Sequence, residues 1–366
     1  MKKLNKDHIH AFLDKGVRNG IFPGAVLLVA RGGKIILFKE AGYRLLNPHP
    51  CIMHKDTIFD LASLTKPLAA TLAIMKLVDE GEVYLDQPIY SLLPLPLSGN
   101  KRAITLRLLL SHSAGFIAWR PFYLKLEHIN FSKRKDMLRE HILNSPLSYQ
   151  PGDAILYSDT GFMVLEWIIE ERTGMSLTSF LERHFFKPLC LKKTFLSGIA
   201  CPSSFREDQF AATETCPWRK KTVIGYVHDE NAYALGGFSG HAGLFGTAED
   251  VYSLVNLLRM HFRKERDDYL KPETVSTFFK RQNLVKGSTW TLGWDTPSHQ
   301  KSSSGKYLSA NSVGHLGFTG TSVWMDLDRD IIIILLTNRI HPTRNNEKIR
   351  NFRPEIHDLI MEELLL

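Results

Sequence analysis

The sequence predicts an α+β fold: an antiparallel sheet built from both chain ends, flanked by helices, with a largely helical inserted region. Two hairpins and the segregation of helical from extended segments carry that prediction. Residues 24–30 and 34–38 are apolar runs with β-branched side chains, joined through the tight-turn signal Gly32-Gly33. Residues 322–327 and 331–337 form a second hairpin through Asp328-Arg329, and the second of these runs is apolar throughout, as a central strand buried on both faces is. Between the two hairpins, apolar residues recur at helical spacing over 105–111, 135–144, 161–173 and 177–186, with Pro and Gly as punctuation.

Further helices are expected over 6–19, 248–262 and 354–365. The order of elements gives a sheet region from 1–62 and 230–366 and a mainly helical region from 63–229, forming one unit with a cleft between the two layers, where binding sites commonly form.

Composition narrows the function classes. With 366 residues, 44% hydrophobic and 23% charged, the chain has room for a large core. The charge of +8 and pI near 9.2 invite a nucleic-acid reading, but the basic residues are scattered. The clusters Lys133-Arg134-Lys135 and Arg219-Lys220-Lys221 read as solvated faces and no nucleic-acid motif accompanies them, so a mild preference for anionic small substrates is the inference drawn. His8, His10, Asp14 and Lys15 interrupt any signal-peptide core, and the aliphatic run 331–336 is too short to span a bilayer. Cys51, Cys190, Cys201 and Cys216 have neither Cys-x-x-Cys nor zinc spacing and are expected as reduced thiols in a cytoplasmic chain.

The chemistry-bearing segment is Ser63-Leu64-Thr65-Lys66-Pro67. Serine needs a group to take its proton, and residues three apart on a helix share a face, so Lys66 can serve Ser63 if a helix begins there. Pro67 is compatible with a first turn. Ser-x-x-Lys also occurs at Ser98/Lys101, Ser132/Lys135, Ser298/Lys301 and Ser303/Lys306, all in polar stretches; only Ser63 precedes an apolar stripe of Leu64, Leu68, Leu72 and Met75. Burial there is expected to lower the lysine pKa from about 10.4 toward a proton-accepting value. The pair also reads as an N-cap serine followed by a surface lysine, and the motif alone leaves both open.

Three more segments offer cleft chemistry. Tyr157-Ser158-Asp159 precedes the helix expected from Gly161, and a tyrosine beside a lysine ionises more easily. His315-Leu316-Gly317-Phe318-Thr319-Gly320-Thr321 leads into the last hairpin, and its glycines would let backbone N–H groups approach a reacting carbonyl. His228, Asp229, Glu230, Asn231 and His241 form a dense polar group beside glycines, suited to a cleft wall. No His-Glu-x-x-His pattern exists, so the reading is structural or substrate-positioning, with no metal or cofactor expected. Each segment also has a plain reading as a cleft tyrosine, a satisfied histidine or a turn.

In this order, Ser-x-x-Lys, Tyr-Ser-Asp and His-Leu-Gly resemble the serine β-lactamase and penicillin-binding protein superfamily on its class C and esterase side, over about 21–344. The segments Leu109-Leu110-Ser111-His112-Ser113-Ala114-Gly115 and Phe245-Gly246-Thr247-Ala248-Glu249-Asp250 belong to that resemblance. It implies a β-lactamase/DD-peptidase-like fold, with Ser63 as acylated nucleophile, Lys66 as its proton acceptor, and Tyr157 as the group that protonates the leaving group and later activates water. It further implies an oxyanion hole from the N–H groups of Ser63 and Phe318. His315 stands where the family has a lysine or histidine that sets the electrostatics of the site, and its charge is expected to vary around neutral pH.

Two departures are visible. Asp159 replaces an asparagine and would tend to keep Lys66 protonated; Leu316 replaces a threonine or serine whose hydroxyl holds a substrate carboxylate, which argues against efficient β-lactam hydrolysis. The segments 225–232, 240–245 and 338–344 are similar to β-lactamase-like proteins of cell-wall recycling, including exo-acting N-acetylmuramoyl-L-alanine amidases. The resemblance implies a serine hydrolase that cleaves an amide or ester in a small molecule or muropeptide, with Asp159, His228, Asp229, Asn231, His241, His315 and Gly317 toward substrate. A D-alanyl-D-alanine carboxypeptidase and a small-ester hydrolase share that chemistry, and a non-catalytic binding or sensor protein of the same fold is the reading from another class. No Gly-x-Ser-x-Gly is present for an α/β-hydrolase.

Overall fold

The computed structural model describes residues 4–94, 99–196, 198 and 204–365; Cys201 and Ser98 lie outside the described residues. The main sheet has six antiparallel strands in the order Cys51–Ile52, Lys34–Leu45, Gly24–Arg31, Ile331–Thr337, Ser322–Asp326, Ser312–Leu316. The two chain ends meet at its centre, where Ala25 pairs with Thr337 and Arg31 with Ile331.

Period-two alternation explains why both central strands are apolar. Ala25, Leu27 and Val29 with Ile331, Ile333 and Leu335 face one core, closed by Ile9 and Leu13 of the helix Lys6–Arg18 and by Ile356 and Ile360 of the helix Ile349–Leu365. Val26, Leu28 and Ala30 with Ile332, Ile334 and Leu336 face the other, closed by Leu254 and Leu258 of the helix Ala248–Phe262 and continuous with the helical part of the chain.

The expected elements recur with shifted ends. The helices fall at Leu106–Leu110, Arg134–Asn144, Asp159–Thr173 and Leu177–Leu181, the last passing into a π-turn at Glu182–Phe186. The first strand pair runs on to Leu45, where Gly42 sits at φ +72° so close to Pro23 that a Cβ would lie 2.1 Å from its carbonyl oxygen. The C-terminal helix begins at Ile349, so Pro354 lies inside it and not in its first turn, and Arg350 and Arg353 are carried toward the cleft. A small sheet of Phe59–Asp60, Leu244–Gly246 and Phe195–Leu196 joins the segment before Ser63 to the segment after His241. No helix among the described residues is long and apolar enough to cross a membrane.

Candidate active site

Ser63 lies in a 3-10 turn, Ala62–Leu64, followed by a π-turn, Lys66–Thr71, and then the α-helix Leu72–Asp79. The irregular start is built by the residues around it. Ala62 adopts the left-handed conformation at φ +48°, its N–H donates to Asp60 Oδ1 at 2.8 Å, and Thr65 Oγ1 donates to the Ala62 carbonyl at 2.6 Å. Lys66, expected from the motif spacing, is wholly buried; its Nζ donates to Ser63 Oγ at 3.2 Å and the His241 carbonyl at 3.3 Å, and pairs with Asp159 Oδ1 at 2.6 Å.

The electrostatics correct one expectation. Burial pulls the Lys66 pKa down, but the charge of Asp159, the Tyr157 phenol and their hydrogen bonds outweigh it and hold the ammonium above its ordinary value. The resting lysine is therefore a cation. Tyr157, whose ring centroid is 4.7 Å from Lys66 Nζ, does not ionise more easily either: desolvation raises its pKa, Asp159 adds to that, and the pull of Lys66 and of the Ser63 hydrogen bond does not reverse it.

Tyr157 is fixed from behind. Ser158 caps the helix Asp159–Thr173 by accepting from the Gly161 N–H at 3.0 Å, donates its hydroxyl to the Ile117 carbonyl at 2.8 Å, and donates its N–H to His112 Nδ1 at 3.1 Å. The His112 ring lies 4.6 Å from that of Tyr157 and, desolvated and near Lys66, stays neutral. His112 is a supporting residue that its quoted motif did not assign.

The 317–321 turn sits beside Ser63 because side chains staple it there. Thr319 Oγ1 donates to the Asp60 carbonyl at 2.8 Å and Thr321 Oγ1 to the Leu61 carbonyl at 3.1 Å. A Cβ on Gly317 would lie 1.9 Å from Thr321 Oγ1 and 2.7 Å from the Leu61 oxygen, so only glycine fits. Two arginines hold the outer side: Arg353 Nη2 donates to the Gly317 and Thr321 carbonyls at 2.8 Å each, and Arg339 Nε to the Phe318 carbonyl at 2.9 Å, with its guanidinium 4.7 Å from the Phe318 ring. The Gly317 N–H closes the turn by donating to the Thr321 carbonyl at 2.7 Å, and Phe318, its carbonyl engaged, is left lining the cleft beside Ser63.

His315 is placed by the edge strand Ser312–Leu316, buried, with Nδ1 against the Leu316 carbonyl at 2.8 Å. Burial and nearby Lys66 push its pKa down to about 3, so its charge does not vary around neutral pH and the imidazole stays neutral. His241 behaves oppositely. Burial opposes its charge, yet Asp229, bonded to Nε2 at 3.0 Å, raises its pKa.

His228 Nε2 bonds Glu214 at 3.0 Å, and Glu214, joined also to Arg344 Nε at 2.7 Å, has its pKa held down at about 2 despite burial. Asp229 caps the helix Glu230–Ala234 through the Ala232 N–H at 2.7 Å. Asn231 does not reach the cleft: wholly buried, it accepts from the Tyr123 N–H at 3.0 Å and donates to the Arg120 carbonyl at 2.9 Å, tying the 118–123 loop in place.

Two cavities meet at Ser63, Tyr157 and Phe318. One, about 300 Å3, is bounded by Trp119, Asp159, His228, Asp229, Glu230, His241 and Arg344. The other, about 360 Å3, carries Arg339, Arg350 and Arg353 against Asp295 and Glu347, with Trp290, His315, Leu316 and Gly317. Among the described residues two groups have the donor atoms for a metal, Asp159/Asp229/His241 and Glu214/Cys216/Glu230; protein cations, Lys66 and Arg344, already neutralise carboxylates in each. Trp119, Trp290, Glu214, Arg350 and Arg353 fall in none of the motifs, and Arg339 and Arg344, within the segment 338–344, had no role assigned; the partners of these residues are mostly backbone carbonyls or residues remote along the chain.

A serine held against a buried lysine, beside a tyrosine and a glycine turn, on a sheet of this order, defines a β-lactamase-fold serine hydrolase. The family model described as Beta-lactamase matches residues 9–356, and the chain belongs to that family. It is 32% identical to "N-acetylmuramyl-L-alanine amidase" of Bacillus subtilis (strain 168), covering 93% of this chain and 82% of that protein. It is 33% identical to "Putative D-alanyl-D-alanine carboxypeptidase" of Salmonella agona (strain SL483), covering 92% and 84%. Solved structures share the fold: "EstCE1, a hydrolase with promiscuous acyltransferase activity" at TM-score 0.74, with 22% identity and 95% and 98% of the chains covered, and the octameric penicillin-binding protein homologue from Pyrococcus abyssi at 0.71, with 19% identity over 92% and 74%.

Proposed function

We propose that the protein cleaves the amide between a muramoyl lactyl group and its peptide through an ester on Ser63. The observation that carries this reading is the Lys66 Nζ to Ser63 Oγ contact of 3.2 Å at the junction of two unlike cavities. The Ser63 oxygen adds to the lactyl carbonyl while its proton passes to Lys66, and Lys66 passes a proton to Asp159 at 2.6 Å, so the lysine stays cationic through the step. The N–H groups of Ser63 and Phe318 take the oxyanion. The C–N bond then breaks as the proton held by Asp159 passes through Lys66 and Tyr157 to the peptide nitrogen; water next adds to the ester carbonyl while its proton returns along that route to Asp159, and this proton goes back to Ser63 Oγ as the acyl–oxygen bond breaks and the lactyl acid leaves, ionising in solvent.

The arginine-bearing cavity suits the carboxylates of a leaving peptide, which compensates for the hydroxyl missing at Leu316. The reading includes a role in wall recycling in a reducing, cytoplasmic setting, in keeping with the free thiols of Cys51, Cys190 and Cys216. Incubation with N-acetylmuramoyl-L-alanyl-D-isoglutamine tests it: release of the free dipeptide in the wild type and none in Ser63→Ala is expected. Cleavage of a D-alanyl-D-alanine terminus in place of that amide would overturn it in favour of the carboxypeptidase.

A further inference from the structure

We propose that the cavity on the Asp159 side of Ser63 is a saccharide subsite in which the Trp119 indole stacks on one face of a pyranose ring and Asp229 and Glu230 accept from its hydroxyls. This rests on the acyl-enzyme reading and specifies which side of Ser63 takes the sugar.

Trp119 is 47% exposed at the rim of this cavity, an apolar surface left in water. The backbone on either side of it is nevertheless tied down. On one side the Ala118 carbonyl accepts from the Asp159 N–H at 2.9 Å and the Ile117 carbonyl from Ser158 Oγ at 2.8 Å. On the other the Arg120 carbonyl accepts from Asn231 Nδ2 at 2.9 Å, and Asn231 Oδ1 holds the Tyr123 N–H. The bonds reach to the two elements that carry the reacting residues and the acidic wall, so the backbone that bears the indole is placed relative to both. An exposed aromatic face with only two side-chain torsions to order loses little entropy on binding and suits the C–H face of a sugar, which is apolar while its edge is polar.

The wall supplies that edge. Asp229 uses Oδ1 for His241 and the Ala232 N–H, and Glu230 uses Oε1 for Arg344; the second oxygen of each has no bond to the described chain. Such carboxylates are anchored by a cation on one oxygen and open to hydroxyl donors on the other, and hydrogen bonds to charged acceptors are the strong ones. The volume, about 300 Å3, is that of a small-ligand site. The opposite cavity also has two carboxylates, Asp295 and Glu347, but sets them among three arginines, a lining that suits carboxylates more than sugar hydroxyls.

Two measurements test this. N-acetylmuramic acid is expected to bind Ser63→Ala protein and quench its tryptophan fluorescence, with the affinity lost about tenfold or more in Ser63→Ala/Trp119→Ala and kept in Ser63→Ala/Trp119→Phe. The preference of Ser63-intact protein for muramoyl-dipeptide over D-lactoyl-dipeptide is expected to fall by a similar factor in Trp119→Ala. No binding of the sugar, or a preference unmoved by Trp119→Ala, would overturn the subsite. Sugar binding without cleavage of either amide would leave the subsite standing and overturn the amidase reading.

Discussion

The Lys66 ammonium lies 2.6 Å from Asp159 Oδ1, with the lysine side chain wholly out of solvent and the aspartate about one-fifth exposed. Burial alone would pull the Lys66 pKa down; the Asp159 carboxylate, with Tyr157, outweighs it and holds the ammonium above its ordinary value. On the proposed mechanism this pair acts as a charged relay, not as a neutral amine base.

Asp159→Asn is expected to reverse that balance. With the carboxylate gone, burial is the dominant influence and the Lys66 pKa falls below its ordinary 10.5. The wild type should show activity that does not depend on deprotonating the lysine across neutral pH, whereas the variant should lose roughly tenfold or more at pH 7 and regain activity as pH rises. Superimposable pH–kcat/KM profiles would refute the relay.

Gly317→Ala places a methyl group where Thr321 Oγ1 and the Leu61 carbonyl now lie. The expected cost is about 1–3 kcal/mol in urea unfolding, as for overpacking elsewhere. Because the turn carries the Phe318 N–H, kcat should fall much more than substrate affinity; a variant with wild-type kcat would show that this turn does not stabilise the transition state.

Acid should destabilise the fold beginning near pH 6.5. His315 is held down at about 3, by burial and then by Lys66, and His357 at about 4, chiefly by burial. Both fold as neutral imidazoles, so their contribution is full above the unfolded value of 6.5 and is lost as pH falls toward 4 and 3. For His357 the loss is about 3 kcal/mol. His241, raised by Asp229 against burial, works in the other direction, losing its contribution as pH rises through its folded value. Thermal melts from pH 7.5 to 4 should show a falling Tm that is shallower in His357→Gln; a flat Tm would contradict this.

Asn231→Ala removes its two bonds to the 118–123 loop, leaving the Tyr123 N–H unpaired and the Arg120 carbonyl with the Phe122 N–H alone, at 2.8 Å. A loss of about 1–3 kcal/mol is expected. Loosening Trp119 should raise KM more than it lowers kcat, and steady-state kinetics on the muramoyl-dipeptide reads that split.

What the sequence made legible follows physical range. The two hairpins and the apolar 331–337 strand were readable because period-two patterns report local burial. Ser63, Lys66 and Tyr157 were readable because motif spacing and order persist in the chain, and the fold does bring them together. The 59–60, 195–196 and 244–246 strands were not, since strands of two or three residues have no period. For Lys66 the departure at Asp159 pointed to the protonated state found, while the apolar stripe pointed to a lowered pKa; which prevails, like the charge of His315, depends on the groups that packing sets nearby, and Asn231 is misplaced because its partners, the Tyr123 N–H and the Arg120 carbonyl, are backbone groups remote in sequence. Arg353 is invisible for the same reason, and Arg339, though within the segment 338–344, had no role assigned: both hold carbonyls, which no side-chain pattern announces.

The most direct test of the central claim is intact-mass analysis after brief incubation with a fluorophosphonate and, separately, with the muramoyl-dipeptide under acid quench. The account predicts a single adduct that maps to Ser63 and is absent from a folded Ser63→Ala variant. An adduct on another residue, or turnover undiminished in Ser63→Ala, would contradict it.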